Sequence, residues 1–78
     1  MIYKYSLDVY RNSFALPNGS TPRYVGVQNN KLCLWVEMGK GPVTNYTFQV
    51  VGTGWEEDYT NYVGSAQIGE YAWHVYQV

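Results

Sequence analysis

The chain has 78 residues, 46% of them apolar, 18% aromatic and only 14% charged, with a formal net charge of −1. That length excludes a second lobe with its own core, and the apolar content excludes disorder, which needs low hydrophobicity and high net charge. Five scattered basic residues, Lys4, Arg11, Arg23, Lys31 and Lys40, form no cluster able to neutralise a run of phosphates, so nucleic-acid binding is disfavoured.

Ile2 to Val9 alternates, with Tyr3, Tyr5, Leu7 and Val9 on one face and Lys4, Ser6 and Asp8 on the other. Period two predicts a half-buried antiparallel strand. Tyr10 to Ser13 reads as a polar break and Ser13 to Leu16 as a short apolar segment, closed by the Pro17-Asn18-Gly19 turn. Thr21-Pro22 prolongs that loop. Arg23 to Asn29 and Lys31 to Glu37 read as the arms of a hairpin around Asn29-Asn30, because asparagine tolerates φ > 0. Val25 and Val27 on one arm, and Leu32, Leu34 and Val36 on the other, are the predicted core positions. Gly39 to Pro42 is a connection, and Thr44 to Val51 a strand with Tyr46, Phe48 and Val50 on one side.

Gly52-Thr53-Gly54 ends that strand. Trp55 to Asn61 carries Glu56, Glu57 and Asp58 in a row and is expected to be a loop with at most one helical turn. Tyr62 to Gly69 and Tyr71 to Val78 flank a Gly69-Glu70 turn of the type II′ kind, in which glycine leads. The last arm is nearly all aromatic and β-branched, the composition that fits a pleated, partly buried surface, and it reads as the strand the rest of the chain packs around. About six to seven strands separated by regular turns predict an all-β antiparallel fold, a small sandwich or partly open barrel, as one domain over residues 1–78.

The one cysteine, Cys33, excludes an intramolecular disulfide, and small secreted domains ordinarily carry several. Met1-Ile2-Tyr3-Lys4-Tyr5 leads straight into alternation rather than into a secretory leader, and no apolar run is long enough for a transmembrane helix. The expected setting is a cytoplasm, of a cell or of an infected host, with no membrane partner.

The order of certain pieces resembles a family of short uncharacterised proteins from bacteriophages and bacteria. These are Ile2-Tyr3-Lys4-Tyr5, Leu16-Pro17, Val27-Gln28, Leu32-Cys33-Leu34-Trp35, Phe48, Gly52-Thr53-Gly54, Tyr62-Val63-Gly64 and Trp73-His74-Val75-Tyr76. The likeness runs nearly end to end. It implies a phage or prophage product in a bacterial cytoplasm, and it implies no reaction.

Catalytic and metal signatures are missing. A lone histidine, His74, cannot build a histidine-based metal site. A Cys33–His74 pair would need adjoining strands; the simpler expectation is a His74 hydrogen-bonded between strands beside tyrosines, and a Cys33 packed inertly. Three consecutive acids point in different directions and lack the calcium-loop pattern. No metal, cofactor or catalytic residue is therefore expected. What remains is the excess of rings: nine Tyr, three Trp and two Phe exceed what so short a chain can hide. Trp55, Glu56, Glu57, Asp58 and Tyr59 form the expected binding patch, with Gly52 and Gly54 beside it and Tyr24 and Trp35 on a second aromatic face. The expected role is non-catalytic binding of a bacterial host protein, as in an anti-defence factor, through these rings. The alternatives are a homo-oligomeric sponge holding a small nucleotide-type ligand near Gly52 to Trp55, and a structural phage accessory protein. Self-association is expected in either case.

Overall fold

The computed structural model describes residues 1–78. Seven strands follow one another: β1 (Ile2–Ser6), β2 (Tyr10–Pro17), β3 (Thr21–Gln28), β4 (Lys31–Glu37), β5 (Val43–Gly52), β6 (Asn61–Ile68) and β7 (Tyr71–Gln77). All pairings are antiparallel. The strands make two sheets, β1-β4-β3 and β2-β5-β7-β6, packed face to face as a sandwich rather than closed into a barrel. No helix is present that could cross a membrane.

The alternation read from the sequence puts the core where the sheets meet. Leu32, Leu34 and Val36 of β4 face Phe48 and Val50 of β5 and Val75 of β7, and all six are buried. Each such side chain contributes roughly 1.5–3 kcal/mol by leaving water. The turns carry the backbone geometry their residues permit. Asn29 and Asn30 have φ of 52° and 60°, the paired positive values of a type I′ hairpin. Gly69, at φ 60°, leads the β6–β7 turn, and Glu70 stays at negative φ, as a type II′ turn requires.

The first quarter of the chain departs from the expectation. β1 stops at Ser6, and Leu7 to Val9 carries the chain from one sheet to the other. Tyr10 to Ser13, expected to be a break, is the first half of the eight-residue strand β2. Its polar residues have structural uses that composition does not show. Asn12 accepts from the Asp8 backbone N–H and donates to the Asp8 carbonyl, both at 2.9 Å, which ties the crossover to the new strand. Arg11 turns outward, and its Nε donates to Gln49 Oε1 at 3.0 Å. Thr21-Pro22 also belongs to a strand, β3, with a bulge between Pro22 and Tyr24. Proline is tolerated there because β3 is an edge strand. Leu7 is buried as expected, whereas Val9, Val27 and Tyr3, on faces expected to be covered, are exposed. Tyr3 and Val27 lie on the edge strands β1 and β3, and Val9 lies in the crossover between the sheets.

Candidate functional site

Phe48 is the only fully buried ring among the fourteen aromatic residues. The others lie at the margins, and one group converges at the end of the sandwich where β5 gives way to a loop. Trp55 folds back on Gly52: its backbone N–H donates to the Gly52 carbonyl at 3.2 Å, and a methyl placed on Gly52 would meet the indole Nε1 at 2.8 Å. Only a glycine leaves room for this approach. Trp55 then meets Trp73 of β7 edge-on, with centroids 5.7 Å apart and planes at 87°. Tyr10 backs Trp55 at 5.5 Å, and Tyr71 flanks Trp73 at 6.4 Å. Tyr10 holds φ at 80°, a left-handed conformation that costs a non-glycine residue about 1–2 kcal/mol. The chain turns sharply there, and the ring that results supports Trp55.

Trp55, Tyr71 and Trp73 wall a cleft of about 590 Å³, completed by Gly52, Thr53, Gln67, Glu70 and Ala72. Trp73 separates it from a smaller recess of about 200 Å³ that reaches Leu7, Lys31 and Ile68. Trp55 is 37% exposed and Tyr71 69% exposed, so the walls are wet when the cleft is empty.

The charges divide in the same way as the chain. Residues 1–40 hold all five basic residues and two acidic ones, whereas residues 41–78 hold four acidic residues and no lysine or arginine. Arg23 pairs with Glu37 at 2.9 Å and Lys31 approaches Asp8 at 4.0 Å, which uses both acids of the first half. Glu56, Glu57, Asp58 and Glu70 are all exposed and form no ion pair. Glu70 lines the cleft, and the other three follow Trp55 directly in the loop.

The expected patch is therefore divided between two surfaces. The loop from Thr53 to Thr60 must cross β7, because β5 and β6 flank that strand. Trp55 turns to the cleft, while half-buried Tyr59 stacks on Tyr76 at 5.7 Å on the outward face, its hydroxyl donating to Glu57 at 3.2 Å. No turn of helix forms in this loop. Gly52 and Trp55 come together; Gly54, at φ 86°, faces open space. Tyr24 and Trp35 do form a second aromatic pair at 5.4 Å, on the outward face of the three-stranded sheet and far from the first. Glu70, Tyr71 and Trp73, which complete the cleft, and Tyr10, which backs Trp55, were not among the expected site residues. The uneven split of charge was one sequence signal for it.

His74 sits on the outward face of the four-stranded sheet in a chain of hydroxyls. Its Nδ1 lies 2.6 Å from Ser65 Oγ and its Nε2 2.7 Å from Thr53 Oγ1. Tyr62 OH reaches Ser65 Oγ at 2.5 Å, and Thr53 Oγ1 lies 3.4 Å from the Ala72 carbonyl, which can only accept. One direction satisfies every atom: Tyr62 donates to Ser65, Ser65 to Nδ1, Nε2–H to Thr53, and Thr53 to Ala72. This is the cross-strand histidine expected from the sequence. Cys33 is buried on the outward face of the other sheet, so no Cys33–His74 pair forms. No group of three or more histidine, cysteine or acidic side chains is placed to hold a metal ion.

A family model for a domain of unknown function, DUF7352, matches residues 1–78. The chain belongs to that family. No curated protein and no solved structure matches it.

Proposed function

We propose that this DUF7352 protein is a non-catalytic binding module that docks a partner protein in the cleft between Trp55, Trp73 and Tyr71. One observation carries the reading. Rings that a folded chain ordinarily buries are held part-exposed around a concavity, and a strained Tyr10 supports them. Preorganised aromatic walls of this kind supply contact area at low entropic cost, which is how interface hot spots work. The resemblance to phage and prophage proteins makes a bacterial host protein the expected partner and a host-interaction or anti-defence role the expected use.

The nucleotide-sponge alternative draws support from the same rings, which would stack on a base. Charge weighs against it. None of the five basic residues lines the cleft, and an anionic phosphate would approach Glu70.

The test is a purified partner. Proteins captured from a bacterial lysate are identified by mass, and the strongest is made separately and titrated against wild type and Trp55→Ala. The reading expects at least about a tenfold loss of affinity, the scale of a hot-spot truncation. An affinity unchanged in Trp55→Ala and in Tyr71→Ala removes the cleft as the docking site.

A further inference from the structure

We infer that the cleft receives an arginine side chain presented by the partner. The inference rests on the protein-binding reading above and adds the chemistry of the bound group. Three features point to a planar cation. The first is the pair of indoles set at 87° to one another, with Tyr71 alongside, so that a flat group entering the cleft meets one ring face and one ring edge. Ring faces carry negative potential and attract a cation positioned above them. The second is Glu70 in the cleft wall, an acceptor with no partner of its own. The third is charge: none of the five basic residues lines the cleft, and Glu56, the residue after Trp55, is exposed and forms no ion pair.

Guanidinium fits this set better than ammonium. It is planar, stacks on aromatic faces and is weakly hydrated, and its N–H fork can meet a carboxylate while its plane lies on a ring. Lysine presents a compact, strongly hydrated charge that loses more on entering between indoles. The polar wall groups agree with a donor-rich guest. The Glu70 carboxylate can accept, and Gln67, whose Nε2 donates to the Gly69 carbonyl at 3.0 Å, keeps its Oε1 to accept.

The chain carries its own controls. It has three tryptophans, and Trp35 lies on the opposite sheet's outward face against Tyr24. In ¹⁵N-labelled protein the three indole N–H signals report separately on the cleft and on this remote pair. The probes are a capped Gly-Arg-Gly-Arg-Gly peptide, its lysine counterpart, and adenosine monophosphate. The arginine peptide is expected to move the Trp55 and Trp73 signals and leave Trp35 in place. The lysine peptide should bind about three- to tenfold more weakly. Glu70→Gln should weaken the arginine peptide about two- to fivefold and Trp55→Ala about three- to thirtyfold, the range for an exposed to partly desolvated cation–π contact. Glu70→Gln changes only an exposed turn residue, so it reports even if Trp55→Ala unfolds.

Equal affinity for the two peptides overturns the assignment. So does movement of the indoles by adenosine monophosphate alone, or their concentration-dependent movement without any probe, which would put a second copy in the cleft. The two levels fail separately. An identified partner that needs Trp55 while the arginine peptide does not bind refutes the guanidinium and leaves the docking site standing. A peptide that fills the cleft beside a partner indifferent to Trp55 does the reverse.

Discussion

Two of the aromatic groups at the surface of this protein, the Tyr24–Trp35 pair and the Trp55–Trp73–Tyr71 set, differ in shape. On the three-stranded sheet Tyr24 and Trp35 lie against a row of small residues. Ser6 of β1, Cys33 of β4 and Gly26 of β3 are register neighbours, and the Tyr24 ring occupies the space above Gly26. Lys4 and Gln28, which bond to each other from the two edge strands, span the same row. The result is a closed outer layer: Cys33 faces away from the core and is still buried. At the end of the four-stranded sheet Trp55, Trp73 and Tyr71 instead leave a hollow. Tyr24 is 62% exposed, more than Trp55 at 37%, so exposure alone does not mark the hollow. Concavity and the unpaired Glu70 separate the hollow from the lid.

Substitutions can break or sharpen this contrast. The largest effect is expected where both groups share a foundation. Phe48→Ala should lower unfolding free energy by about 3–5 kcal/mol, read by chemical denaturation, and loosen both sheets together. Next is Gly26→Val. A carbon added there would meet Tyr24 Cε2 at 2.5 Å, so the ring must leave. A loss of about 1–3 kcal/mol is expected, with ligand titration of the cleft unchanged; weakened binding would mean that the lid and the hollow are coupled.

Gly52→Ala is the matching change on the other side. It should displace Trp55, cost about 1–2 kcal/mol and weaken binding, with the intrinsic fluorescence moving toward that of solvated indole. Binding that survives this displacement would remove Trp55 from the site. His74→Ala should cost about 1 kcal/mol by thermal denaturation, since it deletes two part-exposed hydrogen bonds, and should leave cleft binding as it was. The smallest change is Lys4→Ala, which opens the cover of Cys33. Little stability should be lost, but thiol labelling under native conditions should accelerate. A rate equal to wild type would show that Tyr24 alone shields the sulfur.

The elements differ in how legible they were. β4 could be read because Leu32, Leu34 and Val36 repeat with period two and face a sheet that covers all three. β2 could not, because Asn12 and Arg11 look like loop residues until Asp8 and Gln49 are placed beside them. The turns at Asn29-Asn30 and Gly69-Glu70 were local, set by backbone freedom within two residues. Trp55 and Gly52 were expected to act near one another, and they do touch. Tyr59 was expected to act with Trp55, but the loop crosses a strand between them. Trp73 and Tyr71 looked like parts of a core strand, and only the short opposing sheet leaves them uncovered.

Composition and alternation by themselves determined an all-β chain, the strands that alternate cleanly, two hairpin turns and a surplus of rings, because each depends on neighbours in sequence. Which rings close over a small-residue row and which border a hollow was decided by the tertiary structure. That depends on where one sheet ends above the other, and on a loop that folds Trp55 back against Gly52, contacts made between residues far apart along the chain.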